Sequence, residues 1–181
     1  MRTGPLLATA ALLLALAGCV PTSHPSTLPS ASATPVFASD AEALAAAEKA
    51  YAAYLKVSDE VAQDGGKDPE RFAKVVTAKW LPTEASSAST LQQSGRHQTG
   101  TTTFSHLQME QWTQVDRTVQ VVAYTCLDST NTRFLDVDGH DVTPSARQTQ
   151  LSLEVSFTSD PKSAAHLLVD SNEPWSGPTF C

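Results

Sequence analysis

The spacing of the apolar residues changes once along this chain, near Gly100, and this change predicts the fold class. Before Gly100 the apolar residues recur at three- and four-residue intervals, which is typical of helices that bury one face. After Gly100 they alternate, most clearly from Gln148 to Thr158, where every second residue is apolar. We therefore predict an α+β domain in which two to three N-terminal helices pack on a curved antiparallel sheet of about five strands.

Capping and breaking residues place the predicted helices. Ser39 to Glu42 matches a capping box that begins the first helix, and Gly65-Gly66 ends it. Asp68-Pro69-Glu70 begins a second helix, with Asp as the N-cap, and Pro82 ends it. A third and weaker helix is predicted from Thr83 to Ser94, where the serine content lowers helix propensity.

The strands follow from alternation and from turn residues. Residues 119–126 are apolar on both faces, which is typical of a central strand. An earlier strand contains Phe104 and Leu107, a short strand runs from Arg133 to Val137, and the last one runs from Leu167 to Val169.

The first nineteen residues predict export. Arg2 precedes an apolar span from Leu6 to Ala17, which is too short to cross a hydrocarbon core of ~30 Å, so residues 1–18 are interpreted as a signal peptide. A transmembrane anchor is the alternative. Leu16-Ala17-Gly18-Cys19 resembles a bacterial lipobox, and this resemblance implies cleavage before Cys19 and lipid on its sulfur. We expect a lipid-anchored protein on the extracytoplasmic face of the cell membrane.

Residues 19–38 predict a tether, and residues 39–181 the folded domain. The tether has four prolines, many Ser and Thr residues, and no Asp, Glu, Lys or Arg, so it cannot form a core. Removal of Arg2 with the leader changes the net charge from −7 to near −8. Because an anionic chain repels anionic head groups, we expect the lipid at Cys19 rather than surface charge to hold it on the membrane. Without a Lys/Arg cluster, a nucleic-acid partner is not expected.

The order of the elements resembles the nuclear transport factor 2-like (SnoaL-like, cystatin-like) cone fold. More closely, the chain is similar to a group of uncharacterised actinobacterial lipoproteins. The resemblance spans Asp40 to Cys181 and is carried by Ala50-Tyr51-Ala52-Ala53-Tyr54-Leu55, Asp64-Gly65-Gly66-Lys67-Asp68-Pro69-Glu70-Arg71, Gly100-Thr101-Thr102-Thr103-Phe104, Cys126-Leu127-Asp128, Asp141-Val142-Thr143-Pro144 and Glu173-Pro174-Trp175-Ser176-Gly177 through Cys181. It implies the fold and no activity, because none is assigned to that group.

The cysteines predict one disulfide. With Cys19 carrying lipid, Cys126 and Cys181 remain in an exported domain, and an even number of cysteines in an oxidising compartment favours pairing. The alternative is a catalytic or metal-binding thiol. That reading lacks support, since the chain has no Cys-x-x-Cys motif and no histidine beside either cysteine.

No metal site or cofactor is predicted. The histidines of the domain (His97, His106, His140 and His166) show no zinc-ligand spacing. The segment Asp136 to Asp141 is rich in carboxylates, but its glycine is at position four and position twelve is Arg147, which does not match a calcium-binding EF-hand loop. We interpret this segment as an acidic hairpin turn.

The leading functional hypothesis is a non-catalytic domain that binds a small apolar ligand or an unknown envelope protein. It rests on the predicted anchor and tether and on the lack of nucleophile-elbow, phosphate-loop and dinucleotide motifs. Cone folds leave a cavity between sheet and helices, which is the default ligand site. The residues expected near this pocket are Tyr51, Tyr54, Phe104, His106 and Tyr124. A plain core role is the favoured alternative for the four aromatic residues, and a packed or surface position is the favoured alternative for His106.

Two other classes of function remain open. One is an enzyme of the same fold, in which an Asp/His acid–base pair transfers protons in the cone. His106 and Asp128 are its candidate residues. The other is an envelope interaction protein, which predicts a contiguous exposed apolar patch instead of a cavity.

Overall fold

The computed structural model describes residues 34–179 and 181. These residues belong to one compact unit with its own core. The predicted signal peptide, Cys19 and residues 20–33 of the predicted tether lie outside the described residues. No helix in the described part of the chain is long and apolar enough to cross a membrane.

Helices come first and strands follow, which confirms the α+β prediction. The elements are α1 (Asp40–Gln63), a 3-10 helix (Pro69–Lys74), α2 (Leu81–Gln93), β1 (His97–Thr99), β2 (Thr103–Val115), β3 (Thr118–Asp128), β4 (Arg133–Leu135), β5 (Gln150–Asp160) and β6 (Ser163–Pro174). Strands β2, β3, β5 and β6 form an antiparallel sheet in the order β2-β3-β5-β6. A separate two-stranded sheet pairs β1 with β4.

The ends of α1 are formed by the residues that the sequence predicts. Ser39 Oγ accepts a hydrogen bond from the backbone N–H of Glu42 at 3.3 Å, and the Glu42 carboxylate accepts one from Ala38 N at 2.8 Å. Beyond the helix, Gly66 has a φ of +82°, and a Cβ there would lie 2.0 Å from the carbonyl oxygen of Ala88. Gly66 therefore allows α2 to lie close against the end of α1.

The core lies between α1 and the inner face of the four-stranded sheet. α1 buries one side made of small and aromatic residues, which include Ala43, Ala47, Ala50, Tyr51, Tyr54 and Leu55. The sheet contributes the alternating residues of its two central strands: Val119, Val121, Ala123, Val155 and Phe157. As the sequence predicts, β3 is central, since it pairs with β2 on one side and β5 on the other.

The second predicted helix differs from the structure. The 3-10 helix ends at Lys74, and the chain then lies beside β6, where Val169 N donates to Val75 O at 2.9 Å. Asp68 has a φ of +52° and makes no side-chain cap. Pro82 does not end a helix but lies in the first turn of α2. Backbone N–H groups in the first turn have no intrahelical acceptor, so the lack of an N–H in proline costs no hydrogen bond there. α2 occupies the position of the weaker third helix.

The last residues of the predicted tether pack on the sheet. Phe37 is 6% exposed, and its ring meets the ring of Trp112 edge to face, with centroids 6.0 Å apart. Val36 N donates to Gln114 Oε1 at 2.8 Å, and Gln114 Nε2 donates to Thr34 O at 3.2 Å. The folded part of the chain therefore includes residues 34–38 and joins the domain next to the end of β2.

The β2–β3 and β5–β6 turns lie at the same end of the sheet. Val119 N, just after the first turn, donates to Ser159 Oγ, just before the second, at 2.9 Å. Because the described chain starts beside Gln114, we call this the entry end. The loops at 64–68, 94–102 and 129–149 lie at the opposite end, the far end, where Gln63 Nε2 donates to Gly100 O at 2.8 Å.

The predicted disulfide is confirmed. Cys126 of β3 and Cys181 are bonded, with Cα atoms 5.1 Å apart, and Cys126 is 4% exposed. The C-terminal residues 175–179 and 181, which we call the strap, lie on the outer face of the sheet between β6 and β3. Trp175 N donates to Ser152 O at 2.9 Å, and the Trp175 ring packs on Tyr124 with centroids 4.5 Å apart. Phe180 lies outside the described residues.

Removing the disulfide should lower stability without unfolding the domain. The bridge spans a sequence separation of 55, for which chain-entropy arguments give roughly 4 kcal/mol, while the core between α1 and the sheet is unchanged. We expect the Cys126→Ser, Cys181→Ser variant to fold with a lower urea midpoint. The reduced wild-type protein is the control and should match it. An unchanged midpoint, or an unfolded variant, would contradict this account.

Candidate functional site

A groove of about 530 Å³ runs along one flank of α1, between the helix and the segment that begins β2. We call it the first groove. It is lined by Ala52, Leu55, Lys56, Asp59, Glu60, Gln63, Thr101, Thr102, Thr103 and Phe104.

The floor of the first groove is apolar and its rim is polar. Leu55 is buried and Phe104 is half-buried, so both present apolar surface at the floor beside exposed Ala52. On the rim, Lys56 Nζ lies 3.9 Å from Glu60 Oε1; the Lys56 side chain is largely in solvent and the Glu60 side chain is partly exposed. Such an exposed pair contributes little stability, so its charges are available to a ligand.

Asp59 holds the two sides of this groove together. Its carboxylate is buried on α1 and accepts three hydrogen bonds: from Gln98 Nε2 at 2.7 Å, Thr102 N at 2.9 Å and Thr102 Oγ1 at 2.8 Å. A buried carboxylate is stable only when hydrogen-bonded. The segment before β2 is thereby fixed at a set distance from α1.

A second buried carboxylate, Glu84, joins α2 to the core. Its Oε1 accepts hydrogen bonds from Tyr54 Oη and Trp80 Nε1, both at 2.8 Å. Asn172 of β6 extends the network, since its Nδ2 donates to Tyr54 Oη at 3.3 Å and its Oδ1 accepts from Tyr51 Oη at 3.2 Å. The pKa of Tyr51 and the pKa of Tyr54 are both raised. Burial is the larger cause, and the negative charge of Glu84 is the second.

The structure brings together three of the five predicted pocket residues. The Tyr51 ring contacts the Phe104 ring edge to face at 5.0 Å and the Tyr54 ring at 5.8 Å. Both tyrosines are core residues with 0% and 5% exposure, and Phe104 alone of the five lines the first groove. Asp59 and Glu84 were not identified from the sequence, because a carboxylate in an amphipathic helix is ordinarily a surface residue.

Tyr124 and His106 do not join the other three. Ala123 faces α1, so Tyr124, the next residue of the same strand, faces the outer side, where its hydroxyl donates to Glu110 Oε2 at 2.8 Å. His106 lies in an irregularity of β2 with a φ of +57° and is exposed, and its Nδ1 is 2.9 Å from Ser105 Oγ.

The candidate acid–base residues are separate. Asp128 accepts hydrogen bonds from Thr130 N at 2.7 Å and Gln150 Nε2 at 3.1 Å. The bonds from Thr130 hold the pKa of Asp128 below its usual range, which makes it a weaker base. Within residues 34–179 and 181, no hydrogen bond or ion pair joins Asp128 to His106.

The acidic segment after β4 forms a turn. Asp136 Oδ1 accepts from the backbone N–H groups of Asp138 and His140, and Gly139 at the tip has a φ of +84°. The side-chain ligand atoms of Asp136, Asp138 and His140 lie within 4.8 Å of one another. Hydrogen bonding within the turn accounts for their proximity.

Exposed apolar side chains do not cluster. In the described part of the chain, the large hydrophobic residues that are exposed are Val115 and Val137, at 72% and 82%. Val115 is at the β2–β3 turn of the entry end, and Val137 is in the 129–149 loop at the far end. They form no contiguous patch.

A second groove, of about 550 Å³, follows the other flank of α1 and separates it from the edge strand β6. It is lined by Ala45, Ala46, Lys49, Ala50, Ala53, Val75, Ser163, Ala165, His166 and Leu167. The two grooves share α1 as a wall, and neighbouring residues of the helix, Ala52 and Ala53, face different grooves.

Comparison with known proteins shows the fold alone. No protein-family model matches the sequence, and no curated protein sequence matches it. The chain is similar to the crystal structure of the intermembrane space region of chloroplast protein ARC6, with a TM-score of 0.53. The two share 12% sequence identity over 74% of this chain and 97% of that one. At this identity the similarity supports the arrangement of helices and sheet and carries no function.

Tyrosine ionisation should be suppressed in the folded protein. The chain has three tyrosines; burial raises the pKa of Tyr51 and Tyr54, and the hydrogen bond to Glu110 raises the pKa of Tyr124 to about 12. Unfolded tyrosines titrate near ~10 and so lose protons first, which means that the free energy of unfolding falls as the pH rises above about 10.

Ultraviolet absorbance of tyrosinate measures this directly. We expect no phenol to titrate near pH ~10 before unfolding begins. Glu110→Gln is the informative variant, because it should lower the pKa of Tyr124 alone toward its ordinary value. A wild-type tyrosine that ionises near ~10 while circular dichroism still shows the folded state would contradict the assignment.

Proposed function

We propose that this chain is a lipoprotein anchored through Cys19 to the extracytoplasmic face of the cell membrane, and that its domain binds a ligand in the first groove. The anchor is supported by the order of Arg2, the apolar span and the Leu16 to Cys19 lipobox. The observation that carries the binding function is the groove itself, with its apolar floor and polar rim.

The fold proposed for the domain is the nuclear transport factor 2-like cone. Its support is a long N-terminal helix that crosses the inner face of a curved antiparallel sheet, with the remaining helical segments beside it. In such an arrangement the space beside the long helix is the natural binding site.

The first groove is preformed. Asp59 fixes the segment at Thr102 against α1 with three hydrogen bonds, so a ligand does not have to order it on binding. The groove lies toward the far end, whereas the described chain joins the domain at the entry end.

A small apolar ligand fits the groove better than a substrate for proton transfer. Leu55 and Phe104 provide apolar contact, while hydroxyl and amide groups of the rim, such as Thr101 and Gln63, can orient the ligand. The acid–base alternative requires His106 and Asp128 to face one substrate atom, and neither lines this groove.

Cys19→Ser tests the anchor. Without the thiol no lipid can be attached, so the variant should leave the membrane fraction or keep its leader. Cell fractionation and mass spectrometry of the N-terminal peptide measure both outcomes. Cys126→Ser is the matched control and should remain in the membrane fraction. A mature wild-type protein that does not begin with an acylated Cys19 would overturn the proposal.

Ala52→Arg tests the groove. The probe is N-phenyl-1-naphthylamine, a neutral apolar dye that becomes fluorescent when it leaves water. We expect saturable binding to the wild-type protein and binding at least about tenfold weaker in Ala52→Arg, because the new side chain occupies the groove and charges its floor.

Ser86→Arg is the control for this experiment, since it adds the same side chain to an exposed position on α2. It should bind the dye like the wild-type protein, and both variants should melt as the wild type does. Equal loss of binding in the two variants, or no loss in Ala52→Arg, would show that the first groove is not the binding site.

A further inference from the structure

The edge of the large sheet beside the second groove is only partly covered. The segment from Val75 to Thr77 lies parallel to β6 and forms a single bridge with it, between Val76 and Val169. Val169 N donates to Val75 O, and Thr77 N donates to Val169 O, each at 2.9 Å. Both backbone groups of Val169 therefore point away from β5, toward the outer edge of the sheet.

Leu167 presents the next pair of backbone groups at this edge. It lies two residues before Val169 and pairs with Ser159 of β5 as Val169 pairs with Phe157, so its N–H and C=O groups also point away from β5. Among the described residues, neither group has a hydrogen-bond partner. Leu167 is 2% exposed, and nearly all buried backbone groups in proteins are paired. Since Leu167 lines the second groove, an unpaired donor and acceptor are held there.

The segment that covers the edge turns away at this point. The 3-10 helix ends at Lys74, and Val75 N donates to Phe72 O at 2.9 Å, so the chain before Val75 is coiled and does not pair with β6. Val75 itself lines the second groove. The groove therefore begins where the pairing of residues 75–77 with β6 stops, and it continues along the same edge past Leu167.

The opposite wall of the second groove is one flank of α1. This wall consists of Ala45, Ala46, Lys49, Ala50 and Ala53, which recur at three- and four-residue spacing. Because four of these five residues are alanines, the helix leaves about 550 Å³ between itself and the strand. From Ala45 to Ala53 the helix advances about 12 Å, which is the length of about four residues of extended chain.

The rim of the groove limits how far a strand could pair. The register between β5 and β6 is interrupted between Ser163 and Leu167. Ala165 and His166 lie in this irregularity, are exposed, and line the groove. Because bulges interrupt pairing along a sheet edge, only a short strand can be accommodated beside Leu167.

From the unpaired edge and the space beside it, we infer that the second groove binds a short extended peptide of a partner protein, which adds a strand to β6. The peptide main chain supplies an acceptor for the Leu167 N–H and a donor for its C=O, as Val75 and Thr77 do for Val169. Apolar side chains at alternate positions of the peptide fill the space beside the alanines of α1.

A peptide fits this groove better than a small apolar molecule does. An apolar molecule could fill the space beside α1, but it would leave both backbone groups of Leu167 without partners, which is costly for buried polar groups. The inference goes beyond the proposed ligand site, because it depends on neither the first groove nor the anchor.

Peptide selection tests the inference. The probe comes from a phage-displayed library of random decapeptides selected on the wild-type protein, and fluorescence anisotropy measures the affinity of the most enriched peptide. We expect this peptide to carry apolar residues at alternate positions. Ala53→Arg should weaken its binding at least about tenfold, because Ala53 is exposed in the groove and the new side chain fills and charges that space.

Ser86→Arg is again the matched control, since it adds the same side chain to an exposed position on α2. It should bind the peptide as the wild-type protein does, and both variants should melt as the wild type does.

N-methylation of the peptide tests whether it binds as a strand. In an added strand, every second peptide N–H faces the edge of β6 and the others face away. Methylation at one edge-facing position, the donor to Leu167 O, should weaken binding about tenfold. Methylation at the neighbouring positions should have little effect, because those groups make no bond to the sheet.

Amide hydrogen exchange locates the contact. The Leu167 N–H faces the groove, whereas the N–H of the next residue, Leu168, faces β5. Saturation with the peptide should slow exchange at Leu167 about tenfold or more, with a much smaller change at Leu168.

Four results would overturn the inference: no selected peptide that prefers the wild-type protein to Ala53→Arg, equal loss of binding in Ala53→Arg and Ser86→Arg, binding that no single N-methylation weakens, or unchanged exchange at Leu167 in the complex. None of them bears on the proposed ligand site, which Ala52→Arg and the dye test separately in the first groove.

Discussion

The packing of α1 on the inner face of the sheet is the interaction on which the rest of the structure depends. One side of the helix is buried in a core to which all four strands of the large sheet contribute, and this fixes its axis over the sheet. Because a helix is narrower than a four-stranded sheet, its two flanks remain open, and each becomes the wall of a groove. Both candidate sites are consequences of how one helix covers one sheet.

Two buried carboxylates refine that packing. Asp59 holds the segment before β2, and Glu84 holds α2, which otherwise buries only Ala88. A buried acceptor that loses its donors costs about 1–3 kcal/mol, so these hydrogen bonds specify where the attached segments lie. The first groove owes its fixed width to Asp59, and the position of α2 depends on a network that reaches β6 through Asn172.

Periodicity predicted the elements well and their contacts poorly. The alternation in β5 and the cap at Ser39 are local signals, and both are confirmed. Pro82 was misassigned because proline is common both after a helix and in its first turn. The sequence could not predict which face of the sheet Tyr124 lies on, because β3 is apolar on both faces.

The strap also gives the domain a built-in spectroscopic reporter. The Trp175 ring is held against Tyr124, its Nε1 donates to Pro178 O at 3.1 Å, and a Cβ on Gly177 would lie only 2.3 Å from the indole. The other two tryptophans donate hydrogen bonds to helix carboxylates: Trp80 Nε1 to Glu84 of α2, and Trp112 Nε1 to Asp40 of α1. Emission from a variant that keeps only Trp175 would therefore follow the opening of the strap, independently of events at the grooves.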